Sequence, residues 1–143
     1  MIRFLLLFVM LCAACGLVLS LAVNAASFAG FAIGEGILFK ALLWGIFPTF
    51  LTVILIGRSK RNKRPDVPDR EIDHWELVLA GSPVALRYLF WGCFAYAFVL
   101  GIVFSIEPTQ QPHLVARGTS AFFMMFYTLG LAATMAALRR GAF

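Results

Sequence analysis

Four stretches of this chain contain no Asp, Glu, Lys, Arg or His: Phe4 to Gly34, Ala41 to Gly57, Tyr88 to Ile106 and Gly118 to Leu138. Each supplies the roughly 20 apolar residues that a helix needs to cross a hydrocarbon core about 30 Å thick. The pattern predicts an all-α integral membrane protein, a single transmembrane domain over residues 1–143 with spans at about 3–24, 37–57, 83–106 and 118–138. Composition agrees, since 62% of the residues are hydrophobic and 13% charged, whereas a soluble domain has about a quarter of its residues charged. A water-soluble fold of this size cannot hide so much apolar surface, so lipid must cover part of it.

The positive charge is concentrated in one place. Arg58, Lys60, Arg61, Lys63, Arg64 and Arg70 all fall between the second and third apolar stretches. Short loops rich in Lys and Arg stay in the cytoplasm. With loop 58–82 inside, the connection Asn24 to Gly36, which has no Lys or Arg, and the connection Glu107 to Gly118, which has only Arg117, lie outside. Both termini are then inside with Arg3, Arg139 and Arg140, giving an up-down-up-down bundle. The expected site is a plasma membrane of the bacterial inner-membrane kind. Beside a membrane, Arg58, Lys60, Arg61, Lys63 and Arg64 attract anionic lipid head groups. Nucleic acid is set aside, because no aromatic platform or folded reader accompanies the charges.

Within that loop, Arg58 to Pro68 is polar, basic and interrupted by proline, which predicts an extended link. Asp69 then caps a short amphipathic helix at about 69–80, with Glu71 in its first turn and Gly81 just past its end. Ile72, Trp75 and Leu79 share one face, and Arg70, Asp73, His74 and Glu76 take the rest. Such a helix is expected to lie in the interface with Trp75 toward lipid, or to dock a cytoplasmic partner.

The first apolar stretch also resembles a secretory signal, with a basic start and a small-x-small pair at Val23 and Ala25. A signal core is usually 7–15 residues and this run is about twenty, so a retained first helix is expected. In the second span Lys40 lies one turn inside the boundary and Trp44 one turn deeper. Pro48 removes a backbone donor and predicts a kink that leaves the Trp44 carbonyl unpaired unless Thr49 or Thr52 offsets the loss. Ser82 and Pro83 read as the cap and first turn of the third span. Lys40, Trp44 and Gly45 are echoed by Arg87, Trp91 and Gly92, which a shared interfacial anchor explains without duplication.

Small residues at every fourth position mark helix-packing faces in membranes. Cys12, Gly16 and Ser20 form one row, and Ala97, Gly101 and Ser105 another. The fourth span is bulky in its first half, from Phe122 to Tyr127, and small in its second, at Gly130, Ala132, Ala133, Ala136 and Ala137. The third span has the opposite taper, so the two are expected to pack as a pair.

Chemistry is sparse. No ionisable carboxylate, histidine or cation falls near a midplane, where such groups mark transport and catalysis. Cys12-Ala-Ala-Cys15 has the C-x-x-C spacing of thiol exchange, yet it sits deep in the first span, and Cys93 is also within a helix. Glu35 and His113 flank spans on the outer face and are the candidates for a polar outer site, for a metal or for proton entry, beside Glu107 and Arg117. No catalytic, cofactor or metal site is expected. The expected function is a structural or accessory subunit, or an assembly factor, of a larger membrane complex, partnered by other subunits or by copies of itself. The alternatives are an oligomeric transporter or channel with the Pro48 helix lining the path, and a thiol or quinone redox protein using Cys12 and Cys15.

Overall fold

The computed structural model describes residues 2–31, 36–62, 74–106 and 110–140. Five helices follow one another: α1 (Ile2–Phe28), α2 (Ile37–Asn62), α3 (His74–Leu79), α4 (Val84–Ile106) and α5 (Pro112–Arg140). Among the described residues there is no strand. α1, α2, α4 and α5 are each long and apolar enough to span a membrane, and the protein is an all-helical bundle.

α5 is the hub. It packs against each of the other four helices, most extensively along α1. Its composition explains why. Ala121, Ala132, Ala133, Ala136 and Ala137 are all almost fully buried, and alanine lets neighbouring backbones come close on every side. Two clusters make up the interior. One gathers Leu6 of α1, Val53 and Ile56 of α2, Leu79 of α3, Phe90 of α4 and Leu129, Ala132, Ala133 and Ala137 of α5. The second holds Ala13, Leu17, Val23, Leu42, Cys93, Phe123, Met124 and Tyr127. α4 packs on α5 with large against small: Phe90 sits in the cluster that contains Ala132, Ala133 and Ala137, while Phe104 covers Gly118. The start of α1 therefore lies by the end of α5, and the end of α4 by the start of α5.

Helix ends depart from the expected spans. α1 continues to Phe28, a turn beyond residue 24. Gly30 then adopts a left-handed φ of 80°. The Gly30 amide donates to Ser27 O at 3.3 Å and the Phe31 amide to Ala26 O at 3.0 Å, the paired bonds of a glycine-terminated helix. Gly30→Ala should lower stability by roughly 1–2 kcal/mol, the cost of a left-handed residue with a side chain. Gly92→Ala, on a helix and facing open space, is the control expected to do no harm. Unfolding both variants by titrating denaturing detergent into mixed micelles reads the difference.

α2 runs to Asn62, past residue 57, and α5 starts at Pro112, before residue 118. The helix expected at about 69–80 is described from His74 to Leu79, and residues 69–73 lie outside the described ones. Leu79 is buried in the bundle, Val78 packs by Gly57 and the Trp75 ring lies 5.6 Å from that of Phe90. That face of α3 therefore meets protein, although Trp75 remains partly exposed. Gly81, with φ 87°, turns the chain into α4. Ser82 does not cap α4 as expected: its hydroxyl donates back to Leu79 O at 2.7 Å, and the helix ladder begins with the Leu86 and Arg87 amides donating to the Pro83 carbonyl.

Candidate functional site: two helix junctions

Two junctions hold the helices together, and both depend on residues that interrupt otherwise apolar helices. The first surrounds Asn24, one turn before the end of α1 and buried. Its Nδ2 donates to Ser120 Oγ at 2.9 Å and to Arg117 O at 3.2 Å. Its Oδ1 accepts from the Tyr96 hydroxyl at 3.2 Å. One amide thereby joins α1, α4 and α5 with three of its four bonding directions in use.

Arg117 completes the junction from the other side. Its Nη2 donates to the Ser27 carbonyl at 3.1 Å and its Nε to Ser27 Oγ at 3.3 Å. The guanidinium also lies 3.8 Å from the centroid of the Phe28 ring. Ser27 is in the last turn of α1, whose free carbonyls carry partial negative charge. A cation there satisfies a carbonyl and opposes the helix dipole, which explains how a charged residue is accommodated inside α5.

The second junction surrounds Tyr127 of α5, 2% exposed. Its hydroxyl donates to the Leu42 carbonyl of α2. A β-carbon added at Gly16 of α1 would overlap its ring, and one added at Gly45 of α2 would meet its hydroxyl. One turn further along, Gly130 leaves a notch that the Thr49 methyl of α2 fills, with Ala13 of α1 alongside. Two side chains, Tyr127 and Thr49, thus seat in three glycine notches contributed by α1, α2 and α5. Thr49 and Thr52 donate to Gly45 O and Pro48 O, at 2.8 and 2.7 Å. Neither hydroxyl is spent on the carbonyl of Trp44, which the proline deprives of its usual donor.

The residues singled out from the sequence distribute as follows. Gly16 and Ser20 are buried and Cys12 is half-buried; the Ser20 hydroxyl returns to Gly16 O at 2.6 Å. Ala97 is buried, Gly101 half-buried and Ser105 exposed, and together with Phe122 they line an apolar groove of about 390 Å³. Gly130, Ala133 and Ala137 are buried in α5. Pro48 is exposed on α2 and Arg58 is exposed near the end of that helix. Lys60 and Arg61 belong to the last turns of α2. Lys63, Arg64 and Glu35 lie outside the described residues. His113 is half-buried in the first turn of α5.

Cys12, Cys15 and Cys93 are free thiols, half-buried, exposed and buried respectively. Thr128 Oγ1 lies 3.8 Å from Cys93 Sγ. Among the described residues no group of three His, Cys, Asp or Glu side chains is placed to hold a metal ion. Asn24, Tyr96, Ser120 and Tyr127 carry most of the junction chemistry; the sequence marked Tyr127 as bulk for packing and assigned none of the four a hydrogen-bonding role. The available signal was an asparagine and a tyrosine hydroxyl in apolar helices, groups that must find partners in a bilayer core. No protein-family model matches the chain, no curated protein matches it in sequence, and no solved structure matches it in fold.

Proposed function

We propose that this protein is a structural or accessory subunit, or an assembly factor, of a larger membrane complex. One observation carries the reading. Every buried side-chain N or O atom among the described residues has a hydrogen-bond partner, and those partners are the chain's own backbone and neighbouring helices. The polar groups are consumed in fixing helix to helix, whereas catalysis or conduction needs polar groups left facing a substrate or a path. The outer surface, by contrast, presents Trp44, Phe47, Trp91 and Phe98, side chains suited to lipid or to another apolar helix.

In this reading the four long helices cross the membrane alternately, consistent with the meeting of α1 and α4 ends with opposite ends of α5. Both termini and the basic segment 58–82 face the cytoplasm of a bacterial-type plasma membrane, with Arg58, Lys60, Arg61, Lys63 and Arg64 on anionic head groups. The second reading, an oligomeric transporter or channel, draws on Pro48, which faces outward beside exposed Phe47 and Leu51 and would line a path only between copies.

Purification in a gentle detergent followed by native mass spectrometry separates the two. Unlike chains at fixed stoichiometry are the expected result. A homo-oligomer that conducts ions in liposomes would replace the subunit reading with the transport one.

A further inference from the structure

We infer that α2 is an articulated helix: its segment Ile37–Phe47 hinges on the segment Pro48–Asn62, and the Tyr127 hydroxyl is the catch that holds the first segment against α5. The hinge is built into one turn. Pro48 has no amide to give to the Trp44 carbonyl, so one rung of the helix ladder is absent. Gly45, in the turn before, adds backbone freedom. Thr49 and Thr52 bond back to Gly45 O and Pro48 O, a pattern that loosens and bends helices. Four residues that weaken a helix thus occur within eight positions.

The two segments are held very differently. The second carries Thr49, Val53 and Ile56, all buried, and is braced by Val78 of α3 against Gly57. In the first, Leu42 is the one buried residue among those described, with Leu38, Phe39 and Ile46 half-buried. Few buried contacts mean a low free energy of local opening. The sole polar tie from the first segment to α5 among the described bonds is Tyr127 to the Leu42 carbonyl. Tyr127 itself cannot yield, because its ring is wedged against Gly16. Opening therefore requires α2 to move off Tyr127, swinging into lipid about the Gly45–Pro48 turn. A segment of this length is about 16 Å long at 1.5 Å per residue. A swing of about 20°, the size of an ordinary proline kink, displaces its tip by roughly 6 Å.

Paired spin labels test the hinge in lipid nanodiscs, with Cys12, Cys15 and Cys93 replaced by alanine. Labels at Leu43→Cys and Val115→Cys, both exposed, span the first segment and the start of α5. Labels at Leu55→Cys and Tyr88→Cys, also exposed, monitor the second segment. Tyr127→Phe keeps the ring and removes the catch. Loss of one hydrogen bond's net contribution predicts about a five-fold rise in the open-to-closed ratio, seen as a longer-distance population at the first pair only. Adding Pro48→Ala, which restores the missing rung, should abolish that population. Identical distance distributions for Tyr127→Phe and the parent overturn the inference. So does broadening at both label pairs, which would report general loosening of the bundle.

Discussion

Gly16→Leu is expected to give the largest loss of stability of any single substitution at the helix junctions, about 3 kcal/mol, at the upper end of overpacking costs. The reason is local and geometric. A β-carbon at position 16 falls on the Tyr127 ring, and that ring has nowhere to go. Gly45 closes off its hydroxyl end, and the hydroxyl is bonded to Leu42 O. The clash must be relieved by moving α1 away from α5, and this is the most extensive helix contact in the protein. Separation would leave Ala13, Leu17 and Ser20, now buried, without their packing partners. In a bilayer such packing is the chief force between helices, because lipid tails compete equally for apolar surface.

A second substitution distinguishes a clash from any other effect of leucine at this position. Tyr127→Ala alone should also destabilise, since it empties the junction and removes one hydrogen bond. Combined with Gly16→Leu it should recover a large part of the loss, because the new side chain enters the vacated space. The two effects should therefore be strongly non-additive, as expected for residues in direct contact. Reversible unfolding in mixed micelles supplies all four free energies of the cycle. Additive losses would mean that Gly16 is not where Tyr127 packs.

The spans were plain in the sequence because bilayer thickness and the cost of charge set a coarse length rule that four windows satisfy. Their limits were not, for a reason that Arg117 and Asn24 make concrete. The charge-free window starts α5 after Arg117, and the expected first span stops at Asn24, at the start of the outer connection. Each residue is in fact compatible with a helix because the other helix supplies its partner: Arg117 rests on the carbonyl end of α1, and Asn24 bonds to Arg117 O and Ser120. Those partners are about ninety positions apart, beyond the reach of any local pattern. The same limit hid the central place of α5. Its alanines marked it as able to pack closely, but which neighbours surround it depends on three-dimensional arrangement. Gly45 illustrates a different ambiguity: beside Trp44 it resembles part of an interfacial anchor, whereas its missing side chain makes room for Tyr127. Trp75 and Leu79 were legible as one apolar face; that the face would meet Phe90 and the bundle core was not.

Asn24→Leu should cost about 2 kcal/mol, the second large effect. The substitution is nearly isosteric and apolar, so it tests bonding with little change of volume. Three hydrogen bonds disappear, those to Arg117 O, Ser120 Oγ and the Tyr96 hydroxyl. Bonds between membrane helices average about 0.6 kcal/mol each, with some well above 1, which sets the expected size. The loss is moderated because Ser120 Oγ keeps its own bond to Arg117 O, at 3.0 Å, and is not orphaned. Tyr96→Phe removes one bond of the three and should cost well under half as much. Asn24→Leu should leave the Arg117 contacts to Ser27 in place, because Ser27 Oγ donates to the backbone carbonyl of residue 24, which the substitution keeps. The stability lost should be unchanged between low and high salt, since the Asn24 bonds join neutral groups and are not screened as exposed charge pairs are. Detergent-titration unfolding of the three proteins at two salt concentrations measures each quantity. A value for Asn24→Leu within about 0.5 kcal/mol of the parent, the spread of ordinary surface substitutions, would show that this amide does not hold α1, α4 and α5 together.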